Sequence, residues 1–197
     1  MLEETLKKII PFDPEPLGQL VSKFSETDLR KGSPFAKKGE YSKQIAIVKS
    51  GWLRAYYRKE NGEQYNKTFF TEGSFVGAYS SLVTGTKNLI DIDCLTDCKL
   101  WVASYENITG LYDRYPQTER LARILAERFF VNKEKREIEL ATLDAKERYA
   151  IFLQEYPGLD QLIPQYHIAS YLGVSPTQLS RIRAQNKIAS AVIALHR

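Results

Sequence analysis

The stretch IPQYHIASYLGVSPTQLSRIR, residues 163–183, constrains the chain more than any other. Pro164 precedes a predicted helix over about Gln165–Leu172. Gly173 follows, the residue that takes a positive φ without steric cost. Ser175 offers a side-chain oxygen as N-cap, and Pro176 falls at the first helical position, where its missing N–H does no harm. A second helix is predicted from there to about Gln185. Ile168, Ala169 and Leu172 share one face of the first helix, and Leu179 and Ile182 share the inner face of the second. The small Ala169 allows the two helices to cross closely, with Val174 after the turn. Two short helices joined by a glycine turn, with this apolar pattern, form a helix-turn-helix.

Such a unit presents its second helix to duplex DNA. The outward positions there are Thr177, Gln178, Ser180, Arg181 and Arg183, with Gln165 at the start of the first helix. An arginine bonds a guanine edge bidentately and a glutamine does so for adenine, while hydroxyls commonly reach phosphates. Ser175 and Pro176, at the entry to the second helix, complete the candidate DNA-binding set. The competing reading is a helical hairpin with a solvated basic face. His167, on the first helix, reads as a surface or packing residue rather than a ligand.

Upstream the chain changes character twice. Short helices are expected over Leu2–Ile10 and Glu15–Phe24, and then Ser25 to about Tyr105 runs as short β-rich segments between turns. Asn61-Gly62 is a strong hairpin signal between Trp52–Arg58 and Tyr65–Phe70. Further strands are expected near Leu89–Leu95 and Lys99–Ser104; short strands at such spacing indicate a β-sandwich or barrel. From Gln117 to about Leu143 there is no Gly or Pro, and Arg, Glu, Leu, Ala and Lys dominate. A helix of that length would exceed about 35 Å. Its partial apolar stripe of Leu121, Ile124, Leu125, Phe129 and Ile138 suggests a dimerising helix; the alternative is packing on its own domain. Asp144 with Glu147 has the spacing of a capping box for the next helix. The division read from this is 1–115, a β-rich sensor-type domain; 116–143, a connecting and dimerisation helix; and 144–197, the helix-turn-helix domain. The fold class is α+β.

Composition narrows the function. The 197 residues are 43% hydrophobic and 26% charged, with a net charge of +4, ordinary for a globular chain and compatible with a nucleic-acid partner. Cys94 and Cys98 are the two cysteines, too few for a disulfide scaffold. Four positions apart on one strand they would stand roughly 13 Å apart, beyond bridging. No apolar run approaches signal-peptide or membrane-span length, so a cytoplasmic location without a membrane partner is expected. No nucleophile–base pair, phosphate-cradling glycine loop or metal spacing is visible. An enzyme, a metal site and a bound cofactor are therefore not expected.

The order of parts resembles the Crp/Fnr family of transcription regulators. The resemblance is carried by SGWLRAYY (50–57), FFTEGSFVGAYSSL (69–82) and PQYHIASYLGVSPTQLSRIR (164–183), and it covers most of the chain. It implies an N-terminal jelly-roll β-barrel of cyclic-nucleotide-binding type, a long dimerisation helix and a C-terminal winged-helix-like domain. It also implies a homodimer on double-stranded DNA, with RNA polymerase as a candidate further partner. Members that bind cyclic AMP carry a Gly-Glu pair and, farther on, an Arg. Here Gly77 matches the Gly, Ala78 stands in the place of the Glu, and Lys87-Asn88 lies where the Arg would be. The resemblance thus implies a regulator not responsive to cyclic AMP, with an unknown small-molecule effector or none. Gly77, Tyr79, Ser80, Lys87 and Asn88 are the candidate ligand-binding residues. Arg181 matches a position where the family reads a guanine, and Ser175 one that touches phosphate. Ala189–His196 is apolar and need not form the family's β wing. A reading from another class is a small-molecule-binding protein whose C-terminal helices mediate protein contacts.

Overall fold

The computed structural model describes residues 2–195, with side chains described through Gln185. Two short helices open it, α1 (Leu2–Lys7) and α2 (Pro14–Val21), both ending before the predicted limits. The strands follow: β1 (Ser25–Leu29), β2 (Pro34–Ala36), β3 (Gln44–Ser50), β4 (Leu53–Arg58), β5 (Gln64–Phe70) and β6 (Phe75–Val76). Helix α3 (Tyr79–Thr84) precedes β7 (Asp91–Cys94) and β8 (Cys98–Ser104). They form two antiparallel four-stranded sheets, of order β1-β8-β3-β6 and β2-β7-β4-β5. The jelly-roll arrangement is present, but as two open facing sheets rather than a closed barrel. The edge strands β2 and β6 have three and two residues, too short to carry the hydrogen-bond ladder around.

Helices cover the outer face of each sheet, which explains the burial along the strands. On β3, Ala46 and Val48 enter the core between the sheets, while Ile47 faces out and is buried under helices. Those helices are α1, α2, α4 (Tyr105–Thr109) and the first half of α5 (Pro116–Thr142), through Leu6, Leu20, Ile108 and Leu121. The other sheet is covered by α6 (Ala145–Glu155), α7 (Leu159–Leu162), α8 (Gln165–Leu172) and α9 (Pro176–Leu195). Phe69 of β5, Leu95 and the partly buried Trp52 share one apolar cluster with Phe152, Tyr171 and Leu172 of those helices. The C-terminal helices therefore have no core wholly their own.

Two details go beyond the sequence reading. Cys94 and Cys98 do not share a strand: one ends β7, the other begins β8, and both point into the core between the sheets. The turn between them cancels the strand rise that would have separated them. Gly51, at φ 95°, lies so close to this turn that a Cβ there would stand 2.4 Å from the Asp97 carbonyl oxygen. Secondly, α9 continues past Gln185 to Leu195, and no strand follows it among the described residues. Residues 186–195 contain no Gly or Pro to stop a helix. His196 lies outside the described residues.

Candidate nucleic-acid interface

Helices α8 and α9 form the helix-turn-helix, and its punctuation works as the sequence requires. Gly173 takes φ 72°, and its N–H and that of Val174 bond back to Ser170 and Ala169. Ser175 accepts from the Gln178 N–H at 3.1 Å through its hydroxyl, capping α9. Ile168, Ala169, Leu172 and Leu179 are fully buried where the helices cross. Pro176, Thr177, Gln178, Ser180 and Arg181 are exposed on α9, as are Ser175 before it and Gln165 at the start of α8. Arg183 is placed differently: it is half-buried, with its guanidinium 3.8 Å from the Asp160 carboxylate on α7.

A polar network that the sequence reading did not single out fixes this unit against the sheet. Arg54 on β4 holds Asp93 on β7 with two parallel bonds, Nε to Oδ1 at 2.7 Å and Nη2 to Oδ2 at 3.0 Å. The same guanidinium reaches Asn66 Oδ1 at 3.2 Å and His167 Nδ1 at 2.7 Å, and it stacks 3.9 Å above the Tyr56 ring. Asn66 donates to the His167 carbonyl oxygen at 2.9 Å, and its own N–H reaches the Ser170 hydroxyl at 2.8 Å. Ser170 in turn donates to the Gln64 carbonyl. His167 is thus a buried packing residue, and its Nδ1 must accept, so the ring is neutral. Burial, and then the Arg54 charge, push its pKa down to about 4. At the other end of α8, Arg136 of α5 donates to the Tyr171 carbonyl and lies over the Tyr171 ring. Arg148 of α6 donates to the Leu172 carbonyl. Two cations at a helix C-terminus satisfy its orphan carbonyls and match its dipole. The bare sequence could not reveal Arg54, Asn66 and Asp93 as one group, because strand register brings them together.

The candidate ligand residues do not converge in the same way. Ala78 is buried in the inter-sheet core, and Gly77 packs against Leu82 and Ile45. Tyr79, Ser80 and Lys87 are exposed, whereas Asn88 is buried and donates to the Lys37 carbonyl at 3.0 Å. An open cavity of about 620 Å³ on the outer face of the β2-β7-β4-β5 sheet is lined by Lys37, Lys38, Tyr56, Arg58, Asp91 and Asp93 among others; none of those five lines it.

Helix α5 serves two surfaces. Leu121, Ile124 and Leu125 pack on the β-rich part, while Phe129, Phe130, Val131, Ile138 and Leu140 are exposed farther along. Among the described residues no helix is long and apolar enough to cross a membrane, and no group of three or more potential metal ligands occurs.

The fold is therefore a sheet-rich domain joined through a long helix to a helix-turn-helix unit. Residues 26–115 match the cyclic nucleotide-binding domain family. The chain also shares its fold with solved structures that are similar over most of its length. FixK2 from Bradyrhizobium japonicum superposes with a TM-score of 0.73 at 20% identity, over 85% of this chain and 86% of that one. A protein from Eubacterium rectale assigned to the Crp/Fnr family gives 0.70 at 16%, over 90% and 85%. The Thermus thermophilus catabolite activator protein gives 0.59 at 19%, over 94% and 88%. No curated protein sequence matches the chain.

Proposed function

We propose that this chain is a homodimeric, sequence-specific DNA-binding transcription regulator of the Crp/Fnr type, not responsive to cyclic AMP. The observation that supports this most is the outward face of α9. Thr177, Gln178, Ser180 and Arg181 stand exposed on a helix whose opposite side is locked by Leu179 and Ile182. A rigid helix with only short polar groups and a guanidinium outward suits a major groove. Residues 1–115 act as the sensor-type domain, 116–143 as the dimer helix and 144–197 as the DNA-binding domain. Val131 and Ile138, exposed on the second half of α5 and spaced by seven, give it a seam for a second copy. Two recognition helices would then meet half-sites one helical turn apart, about 34 Å. Gln165, Ser175 and Pro176 border the groove-facing set, with Ser175 on phosphate. Arg183 is tied to Asp160 and contributes charge rather than base readout. RNA polymerase is the expected partner on DNA. Gly77, Tyr79, Ser80, Lys87 and Asn88 remain the proposed contacts of an effector, if one is used.

Selection of bound duplexes from a random library tests this directly. Enrichment of a two-fold related site supports the regulator, and recovery of unselected DNA at moderate salt removes it in favour of a protein-contact module. On the selected site Arg181→Ala should cost about 1–3 kcal/mol and relax discrimination at one base pair. A uniform loss on all sequences would instead make Arg181 a phosphate contact.

The second expectation concerns cyclic AMP. Ala78 brings a methyl group where a ribose-binding carboxylate is needed, and that methyl is already buried in core. Titration calorimetry with cyclic AMP should give no heat of specific binding at up to millimolar ligand. Saturable micromolar binding would contradict the assignment of Ala78.

A further inference from the structure

The open cavity of about 620 Å³ on the outer face of the β2-β7-β4-β5 sheet has no part in the DNA-facing surface. Strand alternation builds it: Ala36 and Ile92 turn into the inter-sheet core, while Asp91, Asp93, Tyr56 and Arg58 stand on the outer side. Tyr56 lies opposite Asp91 in the β4–β7 register. Lys37, Lys38 and Gly39 border the cavity, on a loop that the buried Asn88 holds in place. The Asn88 amide donates to the Lys37 carbonyl, and its backbone exchanges hydrogen bonds with Gly39 and Glu40.

The polar groups here are unequally satisfied. Arg54 engages both Asp93 oxygens. Asp91 Oδ1 accepts from the Lys38 N–H at 3.0 Å. Asp91 Oδ2 has no hydrogen bond among the described residues, although Arg58 Nε lies 3.3 Å away, and the Asp91 side chain keeps only 9% of its surface. The Lys38 ammonium donates to the Arg58 carbonyl at 3.1 Å and forms no ion pair among the described residues. Lys37 meets only the exposed Glu40, at 3.8 Å, a surface pair that contributes little. The Tyr56 hydroxyl accepts from Arg58 Nη2 at 3.0 Å. Burial, and then the Asp93 charge, raise its pKa, so it keeps a proton to donate. The cavity thus offers two ammonium groups, a guanidinium and a phenolic proton to an oxyanion, beside a carboxylate oxygen that lacks a donor.

We propose that this cavity is an effector site for a small hydroxylated phosphate ester. The phosphate takes Lys37, Lys38 and the Tyr56 hydroxyl. Arg58, with half its side chain exposed, turns from Asp91 onto the phosphate. A ligand hydroxyl then donates to the uncovered Asp91 Oδ2. Charge-assisted bonds of this kind are the strong ones, and a phosphate dianion brings three acceptor oxygens to four donor groups.

The site is one contact away from the helix-turn-helix. Tyr56 and Asp93 line the cavity, and the same two residues hold Arg54 by its face and by its Nε edge. The remaining arm of Arg54 reaches His167 of α8 at 2.7 Å. A ligand on Tyr56 therefore bears on the group that seats α8, and it shifts the placement of α8 by as much as it binds one placement better than another. An effect on DNA affinity rests on the regulator reading above, whereas ligand binding itself does not.

The test titrates the full chain with glycerol 3-phosphate and with glucose 6-phosphate, by calorimetry and by the His167 ring resonances in NMR. Inorganic phosphate and glycerol serve as part-ligands. Saturable binding of at least one ester is expected, tighter than inorganic phosphate and accompanied by a His167 shift. Lys37→Gln with Lys38→Gln should weaken it about tenfold or more, the cost of lost hydrogen bonds to charged groups. Both lysines are exposed, so the fold is spared. Asp91→Asn, which keeps an oxygen for the Lys38 N–H, should reduce the preference for ester over inorganic phosphate. No saturable binding of either ester, equal affinity in the double lysine variant, or inorganic phosphate bound as tightly as the esters would overturn the proposal. Bound ester should change affinity for the selected duplex several-fold. Equal affinities with and without bound ester would overturn the effector role and leave the binding site. Absence of any DNA binding would remove the regulator reading alone, since the calorimetry is read without DNA.

Discussion

Phe152→Ala is expected to destabilise the protein by about 3–5 kcal/mol, the usual cost of emptying a large buried aromatic site. Phe152 is fully buried at the centre of a ring cluster. Its centroid lies 6.0 Å from Phe69, 6.3 Å from Tyr149, 5.5 Å from Tyr156 and 5.7 Å from Tyr171. Phe69 comes from β5, Tyr149 from α6, Tyr156 from the residue just after it and Tyr171 from α8, so the cavity opens where the helix-turn-helix meets the sheet. Total stabilities of about 5–15 kcal/mol leave little after such a loss. Urea unfolding followed by far-ultraviolet circular dichroism and by tryptophan fluorescence should show a lower midpoint. The fluorescence change should come first, because Trp52 reports this cluster. Phe130→Ala, on the exposed stretch of α5 at 68% exposure, is the control. It should leave the monomer within about 0.5 kcal/mol of wild type. A loss below 1 kcal/mol for Phe152→Ala would mean that the two parts do not share a core.

What the sequence made legible follows from how local each signal is. Gly173, Ser175 and Pro176 act within one turn of chain, and each does in the structure what its chemistry prescribes. Asp144 and Glu147 likewise form the capping box their spacing implies. Asn61-Gly62 turns β4 into β5, with Gly62 at φ 85°. The resemblance to Crp/Fnr regulators correctly gave the order of parts. Contacts set by pairing across distance were not legible. The break between the strands expected near Leu89–Leu95 and Lys99–Ser104 was legible, but no local residue shows that it carries the chain from one sheet to the other, so that Cys94 and Cys98 face the same core. Arg54 and Asp93 are neighbours only because β4 and β7 pair in that register. The packing of α8 on β5 brings Asn66 to His167 over a separation of 101 residues, which no periodicity encodes. Of the exposed polar positions read on α9, only Arg183 turned partly inward, and its partner Asp160 sits on α7, a helix the sequence reading did not resolve.

Arg54→Ala should be the most damaging polar substitution, through what it abandons rather than what it removes. Breaking a buried ion pair by deleting one partner costs about 3–5 kcal/mol. The Asp93 side chain keeps 19% of its surface, so the lower end is expected. Asn66 Oδ1 loses its donor as well, and His167 Nδ1 is left with only the Asn66 amide nitrogen at 3.3 Å. The acid limb of stability checks the arrangement independently. The folded pKa of His167, about 4, is depressed below its ordinary 6.5, so folding favours the neutral ring. That contribution is complete above pH 6.5 and is lost as pH falls through 4; the shift corresponds to roughly 3 kcal/mol. Wild-type protein should therefore lose stability between pH 6.5 and 4. His167→Gln, which offers Arg54 an amide oxygen and cannot titrate, should flatten that limb at small cost at pH 7. In Arg54→Ala the ring loses a neighbouring positive charge, so His167 should titrate closer to 6.5 in an NMR pH series. A wild-type His167 already titrating at its ordinary value would mean that α8 does not rest on β5 in solution. A depressed value that rises on Arg54→Ala would show that the guanidinium beside Asp93 is what seats the helix-turn-helix on the sheet.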